Sequence, residues 1–364
     1  MARISHCNRI KARGVIELKK RTSVFGCFVS ATLLLAVAGC GTNSGGSQSQ
    51  SQGNTTSQSS GTKAISSKTT QSVSQVMNWY AQPEQGGQWD AQQENLYQKA
   101  GLQMTTKQGG PQVSTIPLVA AGKYTFGMAS ADSILLARAQ GIPIVAIFAP
   151  LQEDPQVLIW HSSAAIKSFA DMNGHPVYVS AASPYWAYIK SKYKLNDAKQ
   201  MTYTGSLVNF VHSNDAVIQG YVTQEPYVLK QEHVPVKYEL VADSGFNPYQ
   251  NVMFTTEQEI KAHPDVVKAF VKASQEGWQD FLQSPSATDN EIHKLNTDLS
   301  INEMDYSVKT EKPLVTGGDA KQHGIGYMSE ANWTKLEKQM KQTGLLKSDV
   351  NVNSAFTDQF LPQQ

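Results

Sequence analysis

The chain of 364 residues carries three cysteines, Cys7, Cys27 and Cys40, and none after position 40. Everything beyond that point therefore lacks a disulfide framework, a Cys-ligated zinc and a cysteine nucleophile. Disulfides are an option for exported domains and not a requirement, so this scarcity leaves the compartment open. Arginine is nearly as rare: after residue 39 only Arg138 remains. Arg is the usual bidentate clamp for carboxylate and phosphate, so a cleft built here is poorly equipped to select an amino acid or carboxylate. Setting residues 1–39 aside leaves 24 basic and 29 acidic side chains, a net of −5. A mildly acidic body without a Lys/Arg-rich run lacks the electrostatic footprint of a nucleic-acid binder.

Enzyme signatures are missing as well. The histidines after the leader, His161, His175, His212, His233, His263, His293 and His323, are scattered, with no H-E-x-x-H or paired-ligand spacing for a metal. There is no G-x-x-x-x-G-K-[ST] loop and no G-x-S-x-G elbow, and Asp243-Ser244-Gly245 reads as a turn. No motif points to catalysis, a metal or a cofactor.

Long apolar runs are confined to residues 24–38, behind Lys19-Lys20-Arg21. At about 15 residues this run is short for a membrane span and suits a signal-peptide core. It ends in Leu35-Ala36-Val37-Ala38-Gly39-Cys40-Gly41, which resembles the bacterial lipobox. That resemblance implies cleavage before Cys40, a diacylglyceryl group on its sulfur, and anchoring on the outer face of the cell membrane. Residues 41–72 are dominated by Gly, Ser, Gln and Thr with few apolar side chains, so 40–72 reads as lipidated cysteine plus flexible linker.

From residue 73 onward the sequence has an α/β pattern. Strands are predicted at 73–80, 102–107, 124–128 and 142–148, the last a continuous apolar run of the kind buried in a parallel sheet. The rhythm restarts after Pro155, with strands at 157–160, 176–179, 201–204, 217–222, 236–241 and 251–255. Between 264 and 282 a helix with Pro in its first turn places Val267, Phe270, Val271, Ser274, Trp278, Phe281 and Leu282 on one stripe. Another helix is predicted over 328–340. Two α/β lobes, 73–155 with 250–364 and 156–249, would be joined by crossings near 151–155 and 243–250, leaving a ligand cleft between them.

The expected cleft loops are rich in aromatics: Trp79, Tyr80, Tyr185, Trp186, Tyr221, Tyr227 and Tyr249, with Tyr227 and Tyr188 better read as core packing. Flat walls with a few polar groups suit a planar, neutral or weakly basic ring. Helix N-termini offer the competing possibility of a small oxyanion. Glu225 precedes Pro226 at a helix start, where it serves either as a cap or as an acceptor inside the cleft.

Asn78-Trp79-Tyr80, Glu84, Gly86-Gly87 and "ENLYQKAGLQMT" resemble the opening of solute-binding proteins of the thiamine-pyrimidine, alkanesulfonate and nitrate binding family. "GKYTFGMASADSILLARAQGIPIVAIFA", "KSFADMNGHPVYVS", "GYVTQEPYVL" and "FTTEQEIKAHPDVVKAFVKAS" are similar to its later blocks, in order, over about residues 74–345. The resemblance implies a two-lobed type II periplasmic-binding fold, no cofactor, and partnership with the permease and ATPase subunits of an ABC importer. It implies a thiamine pyrimidine precursor as ligand, with riboflavin or a small oxyanion such as an alkanesulfonate or nitrate as alternatives. Fungal relatives are pyrimidine synthases using a cysteine-rich motif and a histidine; with no cysteine in the body, that enzyme branch is disfavoured. The candidate ligand-binding residues are Asn78, Trp79, Tyr80, Gly87, Ser130, Asp132, Tyr185, Trp186, Tyr221 and Glu225, with Cys40 the lipidation site.

Overall fold

The computed structural model describes residues 70–362, apart from 111, 181 and 182. The leader, Cys40 and the linker up to residue 69 lie outside the described residues. Ten strands form two five-stranded sheets. The first sheet takes β1 (Gln71–Val76), β2 (Leu102–Lys107), β3 (Phe126–Ala129), β4 (Ile144–Phe148) and, much later in the chain, β10 (Val252–Thr256). The second takes β5 (Gln156–His161), β6 (Pro176–Val179), β7 (Lys199–Thr202), β8 (Val217–Tyr221) and β9 (Val236–Leu240). Their orders are β2-β1-β3-β10-β4 and β7-β6-β8-β5-β9. Each is an α/β layer in which helices cover both faces, and this is why β3, β4 and β5 are buried along their whole length.

Local sequence marks these strands but not their partners. The run Ile144–Phe148 is buried, yet its sheet neighbour is the antiparallel β10, not a parallel strand as its composition suggests. Its outer edge is closed by the chain's end: the Ala146 N–H donates to Ala355 O at 2.8 Å, and the Thr357 N–H donates to Ala146 O at 2.9 Å. An apolar edge strand left open would be a template for another chain, and this cover removes the hazard. β1 ends at Val76, short of the predicted 80, because the chain turns away through Asn78 and Trp79 toward the cleft.

The helix Pro264–Phe281 buries Val267, Phe270, Val271, Ser274, Trp278 and Phe281, the predicted stripe. Burying each large apolar side chain contributes about 1.5–3 kcal/mol, and the face so buried packs on the helix Gly86–Gln93. Phe270 stacks on Phe126 of β3 with ring centroids 3.8 Å apart, tying the helix to the first sheet. Two further helices, Ser286–Leu295 and Ile301–Thr316, are not separable in the sequence pattern. The helix expected over 328–340 spans Glu330–Gln342, with the Ser329 hydroxyl capping its start.

The sheets are linked between β4 and β5 and between β9 and β10. There the two connections touch each other: Leu151 bridges Gln250, and the Asp154 N–H donates to Asn247 Oδ1 at 2.8 Å. Arg138 stays away from the space between the sheets, reaching Glu257, Ile144 O and Ser354 instead. Among the described residues no helix is long and apolar enough to cross a membrane.

Candidate functional site

Between the two sheets lies a cavity of about 140 Å³, lined by residues of both lobes. Its first wall is the loop after β1. Asn78 Nδ2 donates to Asn251 Oδ1 at 2.8 Å, and Asn78 Oδ1 accepts from Gln85 Nε2 at 3.1 Å. These bonds fix the loop so that the half-buried Trp79 indole faces the space. Asn251 sits at φ 52°, a left-handed backbone that asparagine tolerates better than most residues.

The opposite wall is β8 and the turn after it. Gly220, Tyr221 and Glu225 line the cavity with Tyr203, Gln156 and Gln219. The Glu225 carboxyl takes up its own N–H at the helix start and reaches back to the strand before it. Its Oε2 accepts the Tyr221 N–H at 2.6 Å and its Oε1 accepts the Tyr203 hydroxyl at 3.3 Å. Gly220 makes this possible, since a Cβ there would lie 2.8 Å from Glu225 Oε2 and 2.9 Å from its Cβ. Burial pushes the Glu225 carboxyl up to about 7, only partly offset by the Tyr221 N–H.

A larger open cleft adjoins the cavity, sharing Asn78, Gln156 and Tyr221 with it. Ser130, Asp132 and Ser133 line one side at the start of the helix Ala131–Ala139; Ser183, Pro184 and Tyr185 line the other at the start of the helix Pro184–Tyr193. The Tyr185 hydroxyl donates to Gln219 Oε1 at 2.8 Å, which also accepts the Ser180 N–H at 2.6 Å. Among the described residues, neither the cavity nor the cleft is lined by Lys, Arg or His.

Eight of the ten candidate ligand residues lie in or beside this space, though not all in the same way. Asn78, Trp79, Tyr221 and Glu225 line the inner cavity; Ser130, Asp132 and Tyr185 line the outer cleft, which Asn78 and Tyr221 share. Tyr80 lines neither; it is 47% exposed, edge-on to Trp79 with centroids 5.7 Å apart. Trp186 is placed elsewhere, buried in the second lobe with Nε1 donating to Gln200 Oε1 at 3.1 Å. Successive helix residues are turned by about 100°, so when Tyr185 faces the cleft its neighbour faces the packing. Gly87 is also placed elsewhere: it lies against Trp278, whose Cγ would be 2.1 Å from an added Cβ.

The amides of the site, Gln82, Gln156, Gln219, Gln224 and Asn251, are not among the residues that the sequence pattern singles out. A trace of them exists there: Gln156 opens and Gln219 interrupts otherwise apolar buried strands, an expensive place for an amide without a task. Beneath the cavity, the buried Glu84 joins the two lobes. It accepts the hydroxyls of Thr223, and of Ser307 at 3.1 Å, and burial raises its carboxyl. Next to it the Tyr306 hydroxyl donates to Val222 O at 3.1 Å. His161 stacks on Phe210 and reaches its carbonyl, a satisfied core histidine. Among the described residues no group of three or more His, Cys, Asp or Glu could hold a metal ion.

Two α/β lobes with a cleft at their double crossing define the periplasmic solute-binding-protein fold. The sulfonate-binding protein SsuA of Escherichia coli superposes with a TM-score of 0.64 at 12% identity, over 81% of this chain and 94% of that one. The family profile described as NMT1/THI5 like matches residues 82–288, more than half of the chain, so the chain belongs to the NMT1/THI5-like family. Riboflavin-binding protein RibY of Chloroflexus aurantiacus is 26% identical over 249 residues, 65% of this chain and 70% of RibY. A 4-amino-5-hydroxymethyl-2-methylpyrimidine phosphate synthase of Legionella pneumophila is 20% identical over 301 residues, 80% of this chain and 92% of that protein. Binding proteins and enzymes thus share this architecture.

Proposed function

We propose that this chain is the solute-binding component of an ABC importer, tethered by lipid on Cys40 outside the cell membrane, and that its solute is an uncharged heteroaromatic of the flavin type. The lobes would close on the solute by motion at the two crossing segments. The observation that carries this reading is the lining of the cavity: six primary amides (Asn78, Gln82, Gln156, Gln219, Gln224, Asn251), the Trp79 ring and, among the described residues, no cation. Amides both donate and accept, as the edge of a ring bearing alternating N–H and C=O groups requires. An indole supplies a face on which such a ring stacks. The likeness to a riboflavin-binding protein points the same way. A lining without Lys, Arg or His argues against an alkanesulfonate or nitrate, and an enzyme reading has no nucleophile–base pair among the described residues of the cavity to support it.

The test is titration of riboflavin with the purified protein, followed by flavin fluorescence. Saturable quenching with Kd of about 1 μM or tighter is expected. No spectral change at about 100-fold higher concentration rejects the flavin reading. A second reading, an aminopyrimidine precursor of thiamine, is favoured by Glu225, whose carboxyl beside Tyr203 would accept from an exocyclic amine. Competition by 4-amino-5-hydroxymethyl-2-methylpyrimidine in the same titration separates the two.

A further inference from the structure

Two helix N-termini open on the outer cleft, those of Ala131–Ala139 and Pro184–Tyr193, one from each lobe. Free N–H groups and the helix dipole make such an end an anion site. Here the first is already filled by a carboxylate of the chain itself. Asp132 is 3% exposed, and its Oδ1 accepts the Ser133 N–H at 2.7 Å and the Ser130 hydroxyl, with Ser130 and Ser133 Oγ 2.9 Å apart.

A second acid reinforces it. Asp154, fully buried where the lobes cross, accepts the Gln156 N–H at 2.9 Å through Oδ1, while Oδ2 has no partner among the described residues. Asp154 lies within electrostatic reach of Asp132 and of Tyr185 and Tyr221 on the cleft wall. Tyr221 in turn feels Asp154, Glu84, Glu225 and Asp132. Among the described residues no cationic side chain lines the cleft to balance them.

We infer that Asp132 is a specificity-determining residue: it occupies the helix N-terminus that an oxyanion would take and so makes the cleft refuse anionic solutes. An entering sulfonate or phosphate would have to displace the Asp132 carboxyl from the Ser133 N–H and then sit beside it, with the unpartnered Asp154 oxygen close by. Where the solute is a flavin, which rests on the function proposed above, the consequence is selection of the free ring compound over its phosphate ester. A reaction that hydrolyses the phosphate monoester must then precede uptake.

The test compares the native full chain with Asp132→Asn and Asp132→Ser, with Glu232→Gln as a control that removes an exposed charge. Methanesulfonate is the first probe, by calorimetric titration at neutral pH. Native protein and Glu232→Gln should show no saturable binding up to about 10 mM, and both Asp132 variants should bind at least about tenfold more tightly than that limit. The second probe is riboflavin against riboflavin 5′-phosphate, by flavin fluorescence. The native preference for riboflavin should be about 100-fold or more and should shrink at least about tenfold in the Asp132 variants. Sulfonate binding by the native protein overturns the inference, as does an unchanged refusal of sulfonate in a variant that melts like the native chain. Should one variant fail to fold, the other and the native selectivity still decide. If riboflavin itself is not bound, the flavin reading fails while the methanesulfonate result still judges Asp132.

Discussion

At Glu225 a single carboxyl group both holds the backbone and lines the cavity. It terminates β8 by accepting the Tyr221 N–H, and it presents the same group to the cavity. In Glu225→Gln the amide oxygen can still accept that N–H, so thermal stability of the solute-free protein should change little. A hydrogen bond to a charged group contributes about 1.5–3 kcal/mol, so at about pH 8, above the raised value of about 7 where the carboxyl is ionised, affinity for a solute with a donor edge should fall about tenfold or more. Gly220→Ala should cause the same loss with the Glu225 side chain chemically unchanged, because the new methyl would meet its Oε2 at 2.8 Å and its Cβ at 2.9 Å and push it aside. Loss of stability with affinity intact in both variants would assign Glu225 to the backbone alone. Trp79→Ala removes the stacking face and should weaken binding by about 1–3 kcal/mol, by analogy with base–aromatic stacking. Unchanged binding by a folded Trp79→Ala protein would take the indole out of the site.

The pairing of the helices Gly86–Gln93 and Pro264–Phe281 explains why a glycine pair in a conspicuous motif lies in the packing and not along the cavity. An added Cβ at Gly86 would meet the Phe281 ring at 2.0 Å, and one at Gly277 would meet Gly87 O at 2.3 Å. The Trp278 ring lies directly on the backbone at Gly87, with its Nε1 donating to Gln88 Oε1 at 3.1 Å. Gly87→Ala should therefore destabilise by about 1–3 kcal/mol through overpacking, read as a lower melting temperature. The folded fraction should keep its solute affinity; reduced affinity at native stability would return Gly87 to the site. Element types are legible in the sequence because a strand covered on both faces reads as an apolar run, as Ile144–Phe148 does, and the helix stripe repeats at three-four spacing. Pairing is not, since β10 inserts between β3 and β4 from more than a hundred residues away and no local pattern records that. The aromatic wall is half legible: Tyr185 and Trp186 are neighbours of one type, and only the helix phase tells which faces the cleft. The amide lining is illegible to motif reading because glutamines occur throughout this chain, and their role shows only once strands are known to be buried.

At the scale of the molecule, many buried acids lack a cationic partner among the described residues. Burial pushes Asp154, Asp289 and Asp358 up to about 7 and Asp90 to about 6, and it also raises Glu84 and Glu311. Glu311 is the extreme case: fully buried, with neither carboxyl oxygen partnered among the described residues, and with Glu84 and Asp289 near enough to raise it further. Unfolded, such groups titrate at the ordinary 3.8 or 4.5. Between there and about 7 the folded chain holds more protons than the unfolded one, so stability must fall as pH rises through that window. Asp171 and Asp349 are shifted down and work the other way, but both are at the surface, where solvent screens them. The melting temperature should consequently be higher at about pH 5 than at about pH 8, by a few degrees at roughly 2–4 °C per kcal/mol. Glu311→Met keeps the volume and removes the unpartnered carboxyl, a change that is commonly neutral or stabilising for buried polar groups. The variant should melt higher than the native chain at pH 8 and show a shallower slope between the two pH values. A native protein that melts higher at pH 8 than at pH 5 would mean that these acids are solvated or paired in solution; a Glu311→Met variant that melts lower at both would mean that the carboxyl has a partner holding it in place.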